Sequence, residues 1–81
     1  MNKIVIVASG PSLTQEQVDY CQDKADVMVI NDNYKLAPWA NWLYACDLDW
    51  WKLHYKDISK SFTGELWSQD ERTSNTFDNI I

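Results

Sequence analysis

The stretch Lys3-Ile4-Val5-Ile6-Val7-Ala8-Ser9-Gly10-Pro11-Ser12-Leu13-Thr14 decides the fold class, because it reads as a strand that runs into a small-residue turn and then opens a helix. The apolar run from Ile4 to Ala8 does not alternate with polar residues, so it suggests a parallel-sheet strand covered on both faces. Ser9, Gly10 and Ser12 allow a ligand to approach the backbone closely, and the N–H groups that begin the next helix point toward it. That is the local design of an anion or nucleotide site.

Working outward, Thr14-Gln15-Glu16-Gln17 has the form of a capping box, which predicts a helix from Thr14 to about Asp23 with Leu13, Val18 and Cys21 on its inner face. Val27-Met28-Val29-Ile30 is a second continuous apolar run, ending in the turn cluster Asn31-Asp32-Asn33. Pro38 interrupts the segment Tyr34 to Asn41, predicting a short helical turn and a connector. Trp42 to Cys46 reads as a third strand, and Asp47-Leu48-Asp49 caps a helix that carries Trp50, Trp51, Leu53 and His54. Phe62 to Trp67 reads as a shorter fourth strand containing Gly64. Residues 68–81 form a polar, turn-rich tail whose Phe77, Ile80 and Ile81 suit an interface. The expected fold is α/β, a small Rossmann-like sheet of three to four mostly parallel strands with flanking helices, in one domain over residues 1–81.

Composition narrows the function. An 81-residue chain is in the size range where one core gives marginal stability, which favours a homo-oligomer. Five Trp and four Tyr exceed what such a core encloses, so some are expected at an interface or pocket. Seven basic residues against twelve acidic ones give a net charge of −5, the wrong sign for holding nucleic acid, although helix N-termini can still neutralise a mononucleotide. Cys21 and Cys46 match no zinc spacing and read as reduced core or near-core thiols. Neither a signal peptide nor an apolar run of membrane-spanning length is found, so no membrane partner and a cytoplasmic location are expected.

Ligands of parallel sheets bind beyond the strand carboxyl ends, and three such ends carry polar residues: Ser9 to Ser12, Asn31 to Asn33, and Asp47 with Asp49. Asp47 is explained equally by helix capping. The pair Asp47 and Asp49 also has the D-x-D form that binds a divalent ion in metal-dependent transferases, which makes both weak metal candidates. His54 is the one histidine, and beside Trp50 and Trp51 it reads as structural rather than as a general base.

Gly10-Pro11-Ser12-Leu13 after an apolar strand, followed by a strand ending in Asn31-Asp32-Asn33-Tyr34, resembles the nucleotide-binding half of bacterial sialyltransferases that use CMP-sialic acid and of related flagellin-modification proteins. The segment from Ala37 to Asp47 is similar to small proteins of bacteriophages. The resemblance implies that Ser9, Gly10, Ser12 and Asn31 contact a nucleotide, and with Pro11, Asn33, Tyr34 and Asp47 at the same strand ends they make up the expected ligand-binding set. Ala8 stands where the transferases have the first glycine of the turn and Ser9 where they often have asparagine, and the long half that supplies the acceptor site and histidine base has no counterpart in these 81 residues. Catalytic residues are therefore not carried over, and no cofactor is expected. The resulting expectation is a small-nucleotide-binding protein of a phage-infected host cytosol, sequestering a defence messenger without cleaving it. A metal-assisted transferase or nucleotide hydrolase and a ligand-free phage structural protein stay open as alternatives.

Overall fold

The computed structural model describes residues 3–8, 14–77 and 79–81. Four strands, β1 (Ile4–Val7), β2 (Asp26–Ile30), β3 (Trp42–Tyr44) and β4 (Glu65–Trp67), form one sheet in the order β1-β2-β3-β4. Every pairing is parallel, with Val7 opposite Val29, and Ile30, Tyr44 and Trp67 level across the other three strands. The sheet is joined by helices α1 (Gln15–Cys21), α2 (Leu48–Ser61) and α3 (Glu71–Thr76) and by a 3-10 helix over Asn31–Lys35. No helix among the described residues is long and apolar enough to cross a membrane.

Parallel strands joined by right-handed crossovers without any reversal of strand order place every connection on the same side of the sheet. Val7, Val27, Val29, Leu43 and Leu66 face that side, and they share one buried cluster with Val18 of α1, Tyr34 of the 3-10 helix, and Trp51 and Ile58 of α2. The indole of Trp51, completely buried, donates to the Ala45 carbonyl at 2.7 Å and so fixes α2 to the end of β3. On the alternate side Ile4 and Ile6 are 60% and 62% exposed, joined on the same face by Met28, Ile30, Trp42, Tyr44 and Trp67. The expectation that β1 is covered on both faces therefore fails. An unbroken apolar run is compatible with burial of one face or two, and the strand order supplies helices to one face only.

The capping box forms as expected: Thr14 Oγ1 accepts from Gln17 N, and Gln17 Oε1 accepts from Thr14 N. Helix α1 ends at Cys21 rather than at Asp23, because Asp23 adopts a left-handed conformation at φ 68°. Leu13 lies outside the described residues, while Val18 is buried and Cys21 is partly buried, with its thiol free. Cys46 is also a free thiol, but it is exposed rather than near the core.

Beyond β4 the chain departs most from its expected form. Asp70 caps α3 by accepting from Arg72 N at 2.9 Å, and Thr73 is fully buried. Ile80 is buried and bridges Leu66, Phe77 stacks on Tyr55 at 4.2 Å, and only Ile81 is half-exposed. The apolar residues placed at an interface are thus largely consumed in closing β4 within the same chain.

Asn41 stitches the amino ends of three strands together. Its side-chain oxygen accepts from Val27 N, its own N–H donates to the Val27 carbonyl, and its carbonyl accepts from Glu65 N, all at 2.9 Å. Gly64 packs directly on this junction, where an added Cβ would run into the carbonyl oxygens of Ala40 and Asn41. Gly64 has no positive φ, so its role is space rather than conformation. Gly64→Ala is expected to destabilise the fold by about 1–3 kcal/mol, the usual cost of overpacking, as measured by urea denaturation.

Candidate functional site

At the carboxyl ends of the strands, Val7, Ile30 and Tyr44 hand over to the segments that the sequence marks as functional. Ser9, Gly10, Pro11 and Ser12 lie outside the described residues. The flanks of their connection are fixed, by β1 on one side and by the Thr14 cap on the other. Asn31 is exposed and adopts φ 52°, a left-handed turn that asparagine tolerates, and this turns the chain from β2 into the 3-10 helix. Asn33 then reaches back, its Nδ2 donating to the Val7 carbonyl at 3.2 Å, which draws the 3-10 helix against the end of β1.

Tyr34 and Asp47 are already engaged inside the fold. The Tyr34 ring is buried, and its hydroxyl donates to Asp57 Oδ2 at 2.7 Å. It therefore braces the 3-10 helix against α2. Burial, then the hydrogen bond to Asp57, then the negative charges of Asp57 and Asp32 hold its hydroxyl well above the ordinary tyrosine range. Asp47 is the N-cap of α2, accepting from Asp49 N at 2.9 Å, which is the structural reading of this aspartate. Among the described residues no cluster of three or more His, Cys, Asp or Glu could hold a metal ion.

Sequence reasoning passed over Asp32, and the structure gives it a definite setting. Trp50 Nε1 donates to Asp32 Oδ1 at 2.7 Å, while the carboxylate as a whole is 65% exposed. His54 lies against the Trp50 ring at 4.5 Å and brings Nε2 to 3.6 Å from the same oxygen. Tyr34 meets Trp50 edge-on at 6.0 Å, completing an aromatic floor under an oriented, solvent-facing carboxylate. The available signal was spacing: Asp32 stands 22 positions after Gly10, at the end of the second strand, where nucleotide-binding βαβ units place a carboxylate for ribose hydroxyls. Trp50 and His54, one helical turn apart on α2, were the matching signal on the other element.

Charge is uneven along this rim. Asp32, Asp47, Asp49, Asp70 and Glu71 lie at or just beyond the carboxyl ends of β2 to β4, and Arg72 is committed to Asp70 through Nη2 at 2.7 Å and Nε at 3.1 Å. That pairing holds the Asp70 carboxyl below its usual range. Such a rim accepts hydrogen bonds from hydroxyl groups and repels phosphate. A cleft of about 390 Å³ lies at the opposite end of the sheet and is lined by Lys3, Asp23, Lys24, Asp26, Trp39 and Asn41. Its two lysines are offset by two aspartates, so it has no net charge with which to select an ion. Comparison with protein-family models, with curated proteins and with solved structures gives no match to this chain.

Capping by Asp47 is separable from ligand contact. Asp47→Ala should cost about 1 kcal/mol in urea denaturation and Asp47→Ser much less, since serine also caps well. The Tyr34 environment sets a pH dependence. Because the folded state holds this hydroxyl protonated above its unfolded value near 10, its contribution is fully present below about pH 10 and is lost as pH rises through the folded value. Denaturation at pH 8 and pH 11 should show a loss of stability for the wild type that is smaller in Tyr34→Phe.

Proposed function

We propose that this chain holds a small ribonucleotide at the carboxyl ends of β1 and β2 and retains it without converting it. The observation that carries this reading is Asp32, an exposed carboxylate oriented by the Trp50 indole and next in sequence to Asn33, whose amide donates to the Val7 carbonyl at the end of β1. In this arrangement Asp32 accepts ribose hydroxyls, and Ser9, Gly10 and Ser12, which follow β1 in the sequence, supply the phosphate contacts. Asn31 flanks the sugar. Retention rather than turnover is supported by the engagement of the reactive side chains: the Tyr34 hydroxyl with Asp57, the Asp47 carboxylate with its helix, and His54 in the wedge between Trp50 and Asp32. A protein of this kind acts by sequestration, and in a phage-infected cell the matching ligand class is a nucleotide messenger of host defence.

Isothermal titration against ribonucleoside phosphates, cyclic nucleotides and ADP-ribose-type ligands should find stoichiometric binding of at least one. The 2′-deoxy analogue should bind about tenfold or more weakly, in line with loss of a hydrogen bond to a charged group. Asp32→Asn should abolish most of that preference, and the nucleotide recovered on denaturation should have unchanged mass. Failure of every ligand to bind, or recovery of an altered nucleotide, would overturn the proposal.

A further inference from the structure

Two exposures coincide on β1. Asp26 N donates to the Lys3 carbonyl, and Asp26 is in register with Ile4, so Lys3, Val5 and Val7 turn their main-chain groups toward β2. The N–H and C=O of Ile4 and Ile6 consequently point away from the sheet, and among the described residues no strand pairs with that edge. The opposite edge is closed: Ile81 N donates to the Leu66 carbonyl at 2.8 Å, and Ser68 N donates to the Ile81 carbonyl at 3.1 Å. Ile4 and Ile6 are also among the most exposed large hydrophobic residues and project from the bare face of the sheet. Open edges are ordinarily guarded by a lysine, a proline or a bulge, and the sequence Ile-Val-Ile-Val from residue 4 to 7 has none.

We propose that a second copy of this chain adds to the sheet through β1. A two-fold axis normal to the sheet and passing midway between Val5 of one copy and Val5 of the other sets the two strands antiparallel, with Ile4 of each copy opposite Ile6 of the other. Those are the residues whose main-chain groups face outward, so each such pair exchanges both of its N–H···O=C bonds across the axis. Their side chains lie on the same face and pack against one another. The contact is isologous and closes on itself, giving one continuous sheet of two copies rather than an open fibre.

Charge and surface agree with this occupant. Each copy has a net charge of −5, yet Lys3 to Ala8 contains a lysine and no acid, so repulsion is least along this edge. The chain exposes 5478 Å², against about 5,000 Å² expected for a compact monomer of this mass. Its shape is a slab of 34 × 28 × 21 Å, as two layers rather than three would give. The contact is short, placing the association among small interfaces that form and dissociate with concentration.

Sedimentation and native mass spectrometry from about 1 μM to about 1 mM should show a monomer giving way to a dimer, the range in which small interfaces titrate. Over the same range the amide protons of Ile4 and Ile6 should exchange with deuterium tenfold or more slowly as the dimer fills. Ile6→Lys, which alters an exposed side chain, should remain monomeric with a wild-type circular dichroism spectrum. A wild type that stays monomeric throughout would overturn the proposal. So would a dimer in which the Ile4 and Ile6 amides exchange as fast as in the monomer, because the contact would then lie elsewhere, on the bare face or on the helices. The exchange measurement on the wild type decides the matter even if Ile6→Lys does not fold.

Discussion

The handedness of the crossovers governs this molecule more than any single contact does. A right-twisted strand followed by a right-handed return lays each connection over the same face when the strands are added in one direction. With the order β1-β2-β3-β4, that rule sends α1, the 3-10 helix and α2 to one side and concentrates the core there. It leaves Ile4, Ile6 and Trp67 on the other side with much of their surface in water. The same rule brings the ends of β1, β2 and β3 to one rim, because parallel strands share a direction.

Within that frame α2 links core and rim. Its buried side, Trp51 and Ile58, packs on the sheet, while Trp50, His54 and Asp57 on the neighbouring side reach the 3-10 helix. The 3-10 helix has a poor hydrogen-bond geometry of its own, so it depends on such outside support. Tyr34 supplies it from below, Asn33 from the end of β1, and Trp50 through Asp32. Orientation of the Asp32 carboxylate is therefore a product of helix packing rather than of the loop that contains it.

The α/β class, the places of β1 and β2 and the capping box were legible because they rest on local patterns, whereas the fourth strand begins at Glu65 and not at Phe62, which caps α2 instead. The bare face of β1 was not legible, since an apolar run looks the same whether one face or two are covered, and only strand order decides between them. Helix α3 escaped notice because Glu71 to Thr76 contains no large apolar residue; it is held by the Asp70 cap and by the buried Thr73. Tyr34 follows the asparagines in the sequence, but its partner Asp57 lies 23 positions further on and is recognisable only in three dimensions. Asp32 illustrates the converse, a residue with a spacing signal that became meaningful once Trp50 was seen beside it.

Strand order and chain order coincide here, and this bears on how the protein is made. Each strand pairs with the one synthesised just before it, so the sheet can grow by accretion as the chain leaves the ribosome, without waiting for a distant segment to insert between strands already paired. Pairing each strand with its neighbour in sequence keeps these separations shorter than a reordering of the same four strands would, and proteins rich in near contacts fold faster. Ile80 and Ile81 lie against β4 and follow it in the chain, so β4 is closed only after they have been made. Until then, the growing edge of the nascent sheet remains open to water and to other chains.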